Sequence, residues 1–136
     1  MNGKDSLQHL KEIAQRVHQP YRLQGADAMA ISENPLCGDE VLIELKIEGK
    51  TITDVGYSVN GCLLCKAASA LLIELMKGGS CHEVQTTHDR LEAMLQGRAE
   101  SCLKPFKIFE QICNHSARHG CVMLPFQATL TALKQQ

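Results

Sequence analysis

Seven of the 136 residues are cysteine, and three of them stand where they could do chemistry together. Cys37 is followed two places later by Asp39 in "NPLCGD". Cys62 follows Asn60-Gly61, and Cys121 closes the run "ARHGC". Three thiolates with one carboxylate suit a soft or borderline ion, either zinc or iron in a sulfide cluster. Asp39 is the telling member, because a carboxylate oxygen is a poorer partner for cluster iron than a fourth thiolate. Such a site holds a cluster loosely. Loose retention is a defect in an electron carrier and an advantage in a protein that hands clusters on.

Positioning these groups falls to a β-hairpin. Val41, Ile43, Leu45 and Ile47 alternate with Glu44, Lys46 and Glu48, the pattern of a half-buried strand. A tight reversal at Glu48-Gly49-Lys50 leads into a return strand over 51–59, with Val55, Tyr57 and Val59 on one face. Ile52 is out of phase with those three, which predicts a bulge near Asp54. Antiparallel strands joined by a short turn bring their outer ends together. Cys37 and Asp39 therefore enter the hairpin at the end from which Cys62 leaves. Cys62 also starts a helix, where unpaired N–H groups and the helix dipole favour a thiolate.

The remaining elements are mostly helical. Residues 6–18 place Leu7, Leu10, Ile13, Ala14 and Val17 on one face, with Asp5 or Ser6 as cap and Pro20 beyond the end. That stripe is read as packing surface. The stretch from Tyr21 to Pro35 looks irregular, a mobile connector ending in an Asn34-Pro35 turn. Cys65 to Lys77 form a helix stopped by Gly78-Gly79, and Ser80 with Glu83 make a capping box for a short helix. Further helices are expected near 88–96, 103–114 and 122–134. Pro125 fits only a first helical turn, which puts Cys121 at or just before the start of the last helix. The sum is one α+β domain over 1–136: a small antiparallel β-sheet with helices packed on it.

Composition narrows the function classes. A formal net charge of −1 gives no general pull toward nucleic acid or anionic membrane, and an aromatic content of 4% without tryptophan gives no stacking platform. The N-terminus lacks the apolar core of a secretory signal, and no apolar run is long enough to span a bilayer. The expectation is a cytoplasmic protein, whose clustered thiols serve metal or redox chemistry rather than disulfides.

"NPLCGD", the hairpin, "GC" and the Ala/Ser-rich helix "KAASALLIELMKGGS" resemble the U-type iron–sulfur cluster assembly scaffolds, the IscU, SufU and NifU N-terminal family. The resemblance runs from about residue 34 to the C-terminus. It implies a SufE/NifU-like fold, with Cys37, Asp39, Cys62 and Cys121 as ligands of a transient [2Fe–2S] cluster or of Zn2+. It also implies two kinds of partner: a cysteine desulfurase delivering persulfide sulfur, and apo iron–sulfur proteins receiving the product. Ala117, Arg118 and Cys121 match the Ala-Arg-x-x-Cys pattern of the SufU branch. IscU-type members carry histidine directly before the last cysteine; here Gly120 holds that place and His119 stands one earlier.

Two readings of the function follow. In the first, the chain is a scaffold that builds a [2Fe–2S] cluster and transfers it, Cys37 and Cys121 being the candidate persulfide acceptors. In the second, it is a zinc-dependent sulfur acceptor of the SufU kind, in which the metal masks Cys37 until a desulfurase docks. Arg118 is either a surface residue or one that steers a persulfide. Cys65 reads as a buried helix residue beside the site, as a spare thiol that relays sulfur, or as half of a Cys62-x-x-Cys65 redox pair. Cys81, Cys102 and Cys113 lack paired ligand spacing, and the histidines other than His119 are read as solvated.

Overall fold

The alternation of residues 41–47 becomes the centre of a three-stranded antiparallel sheet. The computed structural model describes residues 3–98 and 104–135. Its elements are α1 (Gly3–Gln15), β1 (Ala28–Asn34), β2 (Asp39–Glu48), β3 (Thr51–Asn60), α2 (Leu63–Met76), α3 (Cys81–Leu95), a 3₁₀ helix (Lys104–Ile112) and α4 (Ser116–Leu133). In the β2–β3 hairpin Val41 faces Val59, Ile43 faces Tyr57 and Leu45 faces Val55. The two-residue turn puts Gly49 at φ 62°, the left-handed region that glycine enters without a Cβ clash. The expected bulge is present. Pairing slips from Lys46–Asp54 to Ile47–Ile52, leaving Thr53 as the extra residue and returning Ile52 to the buried face with Val55.

The stretch from 21 to 35 departs from the irregular connector expected of it. Ala28–Asn34 is a strand that pairs antiparallel with β2, from Ala28–Leu45 to Asn34–Asp39. Its alternation is hidden because small residues point inward and large ones outward. Ala28 and Ala30 are buried, whereas Met29 and Ile31 are exposed. Short side chains suit this strand because α4 packs on it and on β2. Further upstream Tyr21 bridges to Tyr57, so the chain crosses back over β3. The crossing is close. A Cβ on Gly56 would lie 2.8 Å from Glu44 Oε1 and 3.0 Å from the Tyr21 carbonyl.

α1 packs on α2; Leu10, Ile13, Ala14 and, just past the end of the helix, Val17 are buried as the stripe predicts, while Leu7 stays exposed. The helix spans Gly3–Gln15, so Asp5 and Ser6 lie within it. α2 is lined with small buried residues, Ala67, Ala68, Ser69 and Ala70, which let its neighbours come close. Ser80 Oγ accepts the Glu83 N–H at 3.2 Å, but the helix it caps runs unbroken through the two segments expected near 80 and 88–96. Of the helix expected over 103–114, residue 103 lies outside the described residues and Lys104–Ile112 is wound as 3₁₀, with Phe106, Phe109 and Ile112 buried at every third position, the period of that helix.

The last helix differs most. α4 starts at Ser116, so Cys121 is in its second turn and Pro125 is inside it. Proline there has no N–H to give to the carbonyl four residues earlier, which is that of Cys121. The helix keeps its course because core surrounds it here: Val122, Leu124, Phe126 and Ala128, which point to different sides, are all buried. Among the described residues, no helix is long and apolar enough to cross a membrane.

Candidate metal centre

Four segments meet at one end of the sheet. The first is the turn between β1 and β2. The Asn34 carbonyl accepts the Gly38 N–H at 2.8 Å and the Cys37 N–H at 3.3 Å, and Gly38 turns the chain at φ 77°. This presents Cys37 on the surface, with Leu36 beside it 85% exposed. The second segment is the start of β2, where Asp39 is only 5% exposed. The third is the junction of β3 and α2, where Cys62 is the helix N-cap and its Sγ accepts the Cys65 N–H at 3.5 Å. The fourth is the second turn of α4, with Cys121 buried at 7% exposure.

One ligand atom from each of Cys37, Asp39 and Cys121 lies within 4.8 Å of the other two. The Cys37 and Cys121 sulfurs are 3.7 Å apart. Cys62 falls outside that tight triangle but adjoins it. Its N–H donates to Asp39 Oδ1 at 3.2 Å, and its thiol interacts with both Asp39 and Cys121. The other carboxylate oxygen, Asp39 Oδ2, is buried without a hydrogen-bond partner among the described residues. A buried carboxylate oxygen left bare is costly unless a cation or proton faces it.

The thiols show the same demand. Burial pushes the Cys121 thiol well up, and the neighbouring Cys37 and Cys62 push it further. Burial also raises Cys62 and outweighs the Cys65 N–H that favours its thiolate; Asp39 adds to the rise. Without a cation the helix-start advantage expected for Cys62 is therefore overcome. Cys121 does not have that advantage at all, since it sits a turn inside α4. Three thiolates and a carboxylate this close repel one another, and a bound cation reverses the balance. The donor set fits zinc or iron in a sulfide cluster.

Asn34 belongs to the site, although the sequence offered it only as a turn residue. It is buried, its Oδ1 accepts the Leu36 N–H at 3.1 Å, and its Nδ2 reaches toward Cys121 Sγ at 3.9 Å. A Cβ on Gly120 would come within 3.0 Å of that Nδ2, so glycine before Cys121 makes room for the asparagine. His119 is turned away: its Nε2 lies 3.0 Å and 3.2 Å from the carbonyls of Ile112 and Cys113, where it closes the 3₁₀ helix. Arg118 is exposed in the first turn of α4.

Cys65 is fully buried next to Cys62, and burial followed by the Asp39 charge pushes its thiol up to about 12. Cys81 and Cys113 lie apart from the cluster, and Cys102 is outside the described residues. His88 is not simply solvated. It meets Phe126 edge-on, and its Nδ1 is 2.8 Å from Asp89, whose carboxyl it lowers.

The family model for the NifU-like N-terminal domain matches residues 12–134. An iron–sulfur cluster assembly scaffold protein IscU of Thermotoga maritima is 28% identical over 116 residues, covering 84% of this chain and 82% of that protein. The zinc-dependent sulfurtransferase SufU of Bacillus subtilis is 22% identical over 98 residues, covering 70% and 67%. The crystal structure of the N-terminal part of a NifU-like protein from Brucella abortus superposes with a TM-score of 0.88 at 26% identity, covering 97% of this chain and 95% of that one. Relatives thus lie in both the IscU and the SufU branches.

Proposed function

Since the chain belongs to the NifU-like N-terminal domain family of U-type scaffolds, we propose that it is an iron–sulfur cluster assembly scaffold. In this reading it takes sulfur from a cysteine desulfurase, gathers iron, builds a transient [2Fe–2S] cluster and passes it to apo-proteins. The observation that carries the reading is the Asp39 carboxylate, which has an oxygen within 4.8 Å of the Cys37 and Cys121 thiols and a buried Oδ2 without a partner among the described residues.

Sulfur enters at Cys37, the exposed thiol of the group. Its thiolate attacks the outer sulfur of the desulfurase persulfide. The donor S–S bond breaks, the desulfurase cysteine leaves as thiolate, and Cys37 carries the new persulfide. Cys121, 3.7 Å away, is the second acceptor. Arg118 stands three residues before Cys121 on the exposed side of α4 and balances the charge of the incoming anion. Reduction of the sulfane sulfur to sulfide consumes two electrons from a separate thiol or redox-protein donor. Cys37, Asp39, Cys62 and Cys121 hold the iron cargo, and Asp39 supplies the weak bond at which release begins. The chemistry suits the cytoplasm, where thiols stay reduced.

A second reading has the zinc-dependent SufU relative and the Ala117-Arg118-x-x-Cys121 pattern in its favour. Zinc, held by the same four residues, would supply a clamp without redox chemistry and keep the Cys37 thiolate masked until the desulfurase docks. Anaerobic reconstitution with iron and sulfide separates the two. The scaffold reading predicts a coloured species that transfers to an apo-ferredoxin, more slowly in Asp39→Ala. A protein that stays colourless, keeps one zinc and accelerates desulfurase turnover supports sulfur transfer. Unchanged metal binding and sulfur acceptance in Cys37→Ala would exclude both.

A further inference from the structure

The site has one more sulfur at its edge. Cys62 and Cys65 open α2 one turn apart, as N-cap and third helical residue, a C-x-x-C spacing with which thiolate pairs grip a single ion. Cys65 is buried, yet its surroundings are not wholly apolar. Its N–H donates to Cys62 Sγ at 3.5 Å. Gly61 shows how close Asp39 and Cys65 are. The point where its Cβ would stand is 3.0 Å from Asp39 Cγ and 3.1 Å from Cys65 Sγ. The carboxylate and the thiol therefore flank the same stretch of glycine backbone, with no side chain between them. Independently of Cys65, Asp39 Oδ2 is left without a partner.

We propose that Cys65 is a reserve sulfur ligand that takes the position of Asp39, converting a three-sulfur, one-oxygen site into an all-thiolate one. The proposal rests on the metal-binding reading of the same site. In the exchange the Asp39 oxygen–metal bond would break, a Cys65 sulfur–metal bond would form, and the thiol proton would pass to solvent as the metal displaces it. Soft and borderline ions favour the exchange, since thiolate is their better ligand. Asp39 favours the open state, being already in place and held by the Cys62 N–H. The pair thus gives the site a loose and a tight setting.

Cobalt(II) tests this directly, because the intensity of its thiolate-to-metal charge-transfer band counts the sulfurs bound. Anaerobic titration of the wild type should give a three-thiolate band. Asp39→Ala should still bind cobalt, with the band raised by one thiolate's share and slower loss to a chelator. Asp39→Ala combined with Cys65→Ala should drop back to the three-thiolate intensity and bind roughly 10–100-fold more weakly than Asp39→Ala. The same combination with Cys65→Ser, which preserves side-chain size, should behave alike, and circular dichroism checks that each variant is folded. Identical bands and chelator kinetics for Asp39→Ala and either folded double variant would overturn the proposal. A wild type that binds no cobalt would overturn the site reading beneath it.

Discussion

A buried carboxylate with one oxygen hydrogen-bonded and the other without a partner is costly, and a bound cation would offset that cost. Asp39 is in that position, and Asn34 holds the surrounding loop in place. Its side chain closes the turn to Leu36 while reaching Cys121, and its carbonyl fixes Cys37 and Gly38. Asn34→Ala is expected to cost about 1–3 kcal/mol in a urea melt and to weaken zinc binding roughly 10–100-fold in a chelator competition. Glu44, buried on β2 against Arg22 and the Leu23 backbone, shows a different dependence. The Arg22 guanidinium lowers its carboxyl most, burial opposes this, and the Leu23 N–H assists. Because the folded value lies below the unfolded one, the stabilisation is complete above about pH 4.3. It is lost as pH falls through the folded value. In urea melts of the metal-free protein, wild type should lose more stability on acidification than Glu44→Gln. The approach of Asp39 to Cys62 was legible from the sequence, because a hairpin brings the outer ends of its strands together. Asn34 was not, because nothing local distinguishes a turn asparagine from one that also touches a thiol 87 residues away.

Elements whose pattern is local came out of the sequence well. The hairpin, its bulge, α2 and the Ser80 cap each depend on alternation, phase or a capping residue that can be counted along the chain. β1 was hidden because tertiary packing of α4 demands alanines inside and tolerates Met29 and Ile31 outside, the reverse of the usual alternation. The start of α4 was misplaced because proline normally belongs in a first turn, whereas here core packing on both sides of Pro125 offsets a missing hydrogen bond. The crossing of residues 21–23 over β3 depends on Gly56 in the same non-local way. Gly56→Ala should destabilise the fold by about 1–3 kcal/mol, read from denaturant midpoints, because Glu44, Leu23 and the Tyr21 backbone must all give way.

For the molecule as a whole, the strand order β1-β2-β3 gathers the site. It places the β1–β2 turn, the β2 start and the β3–α2 junction at one end of the sheet, and α4 lies across β1 and β2 to add Cys121. Convergence of the first three donors follows from the hairpin alone. The fourth arrives by packing, which is why its place along α4 was out of reach of the sequence. A site assembled from four separate segments should couple metal binding to folding. Free zinc at 100 times its dissociation constant should stabilise the chain by about 2.7 kcal/mol, and Cys121→Ala should lose most of that gain.

The central claim is that one ion is bound by Cys37, Asp39, Cys62 and Cys121, and X-ray absorption at the zinc edge of the singly loaded protein tests it most directly. The account predicts three sulfurs at about 2.3 Å and one oxygen at about 2.0–2.2 Å, with Cys121→Ala losing one sulfur. A shell dominated by nitrogen or oxygen, or one unchanged by Cys121→Ala, would contradict it.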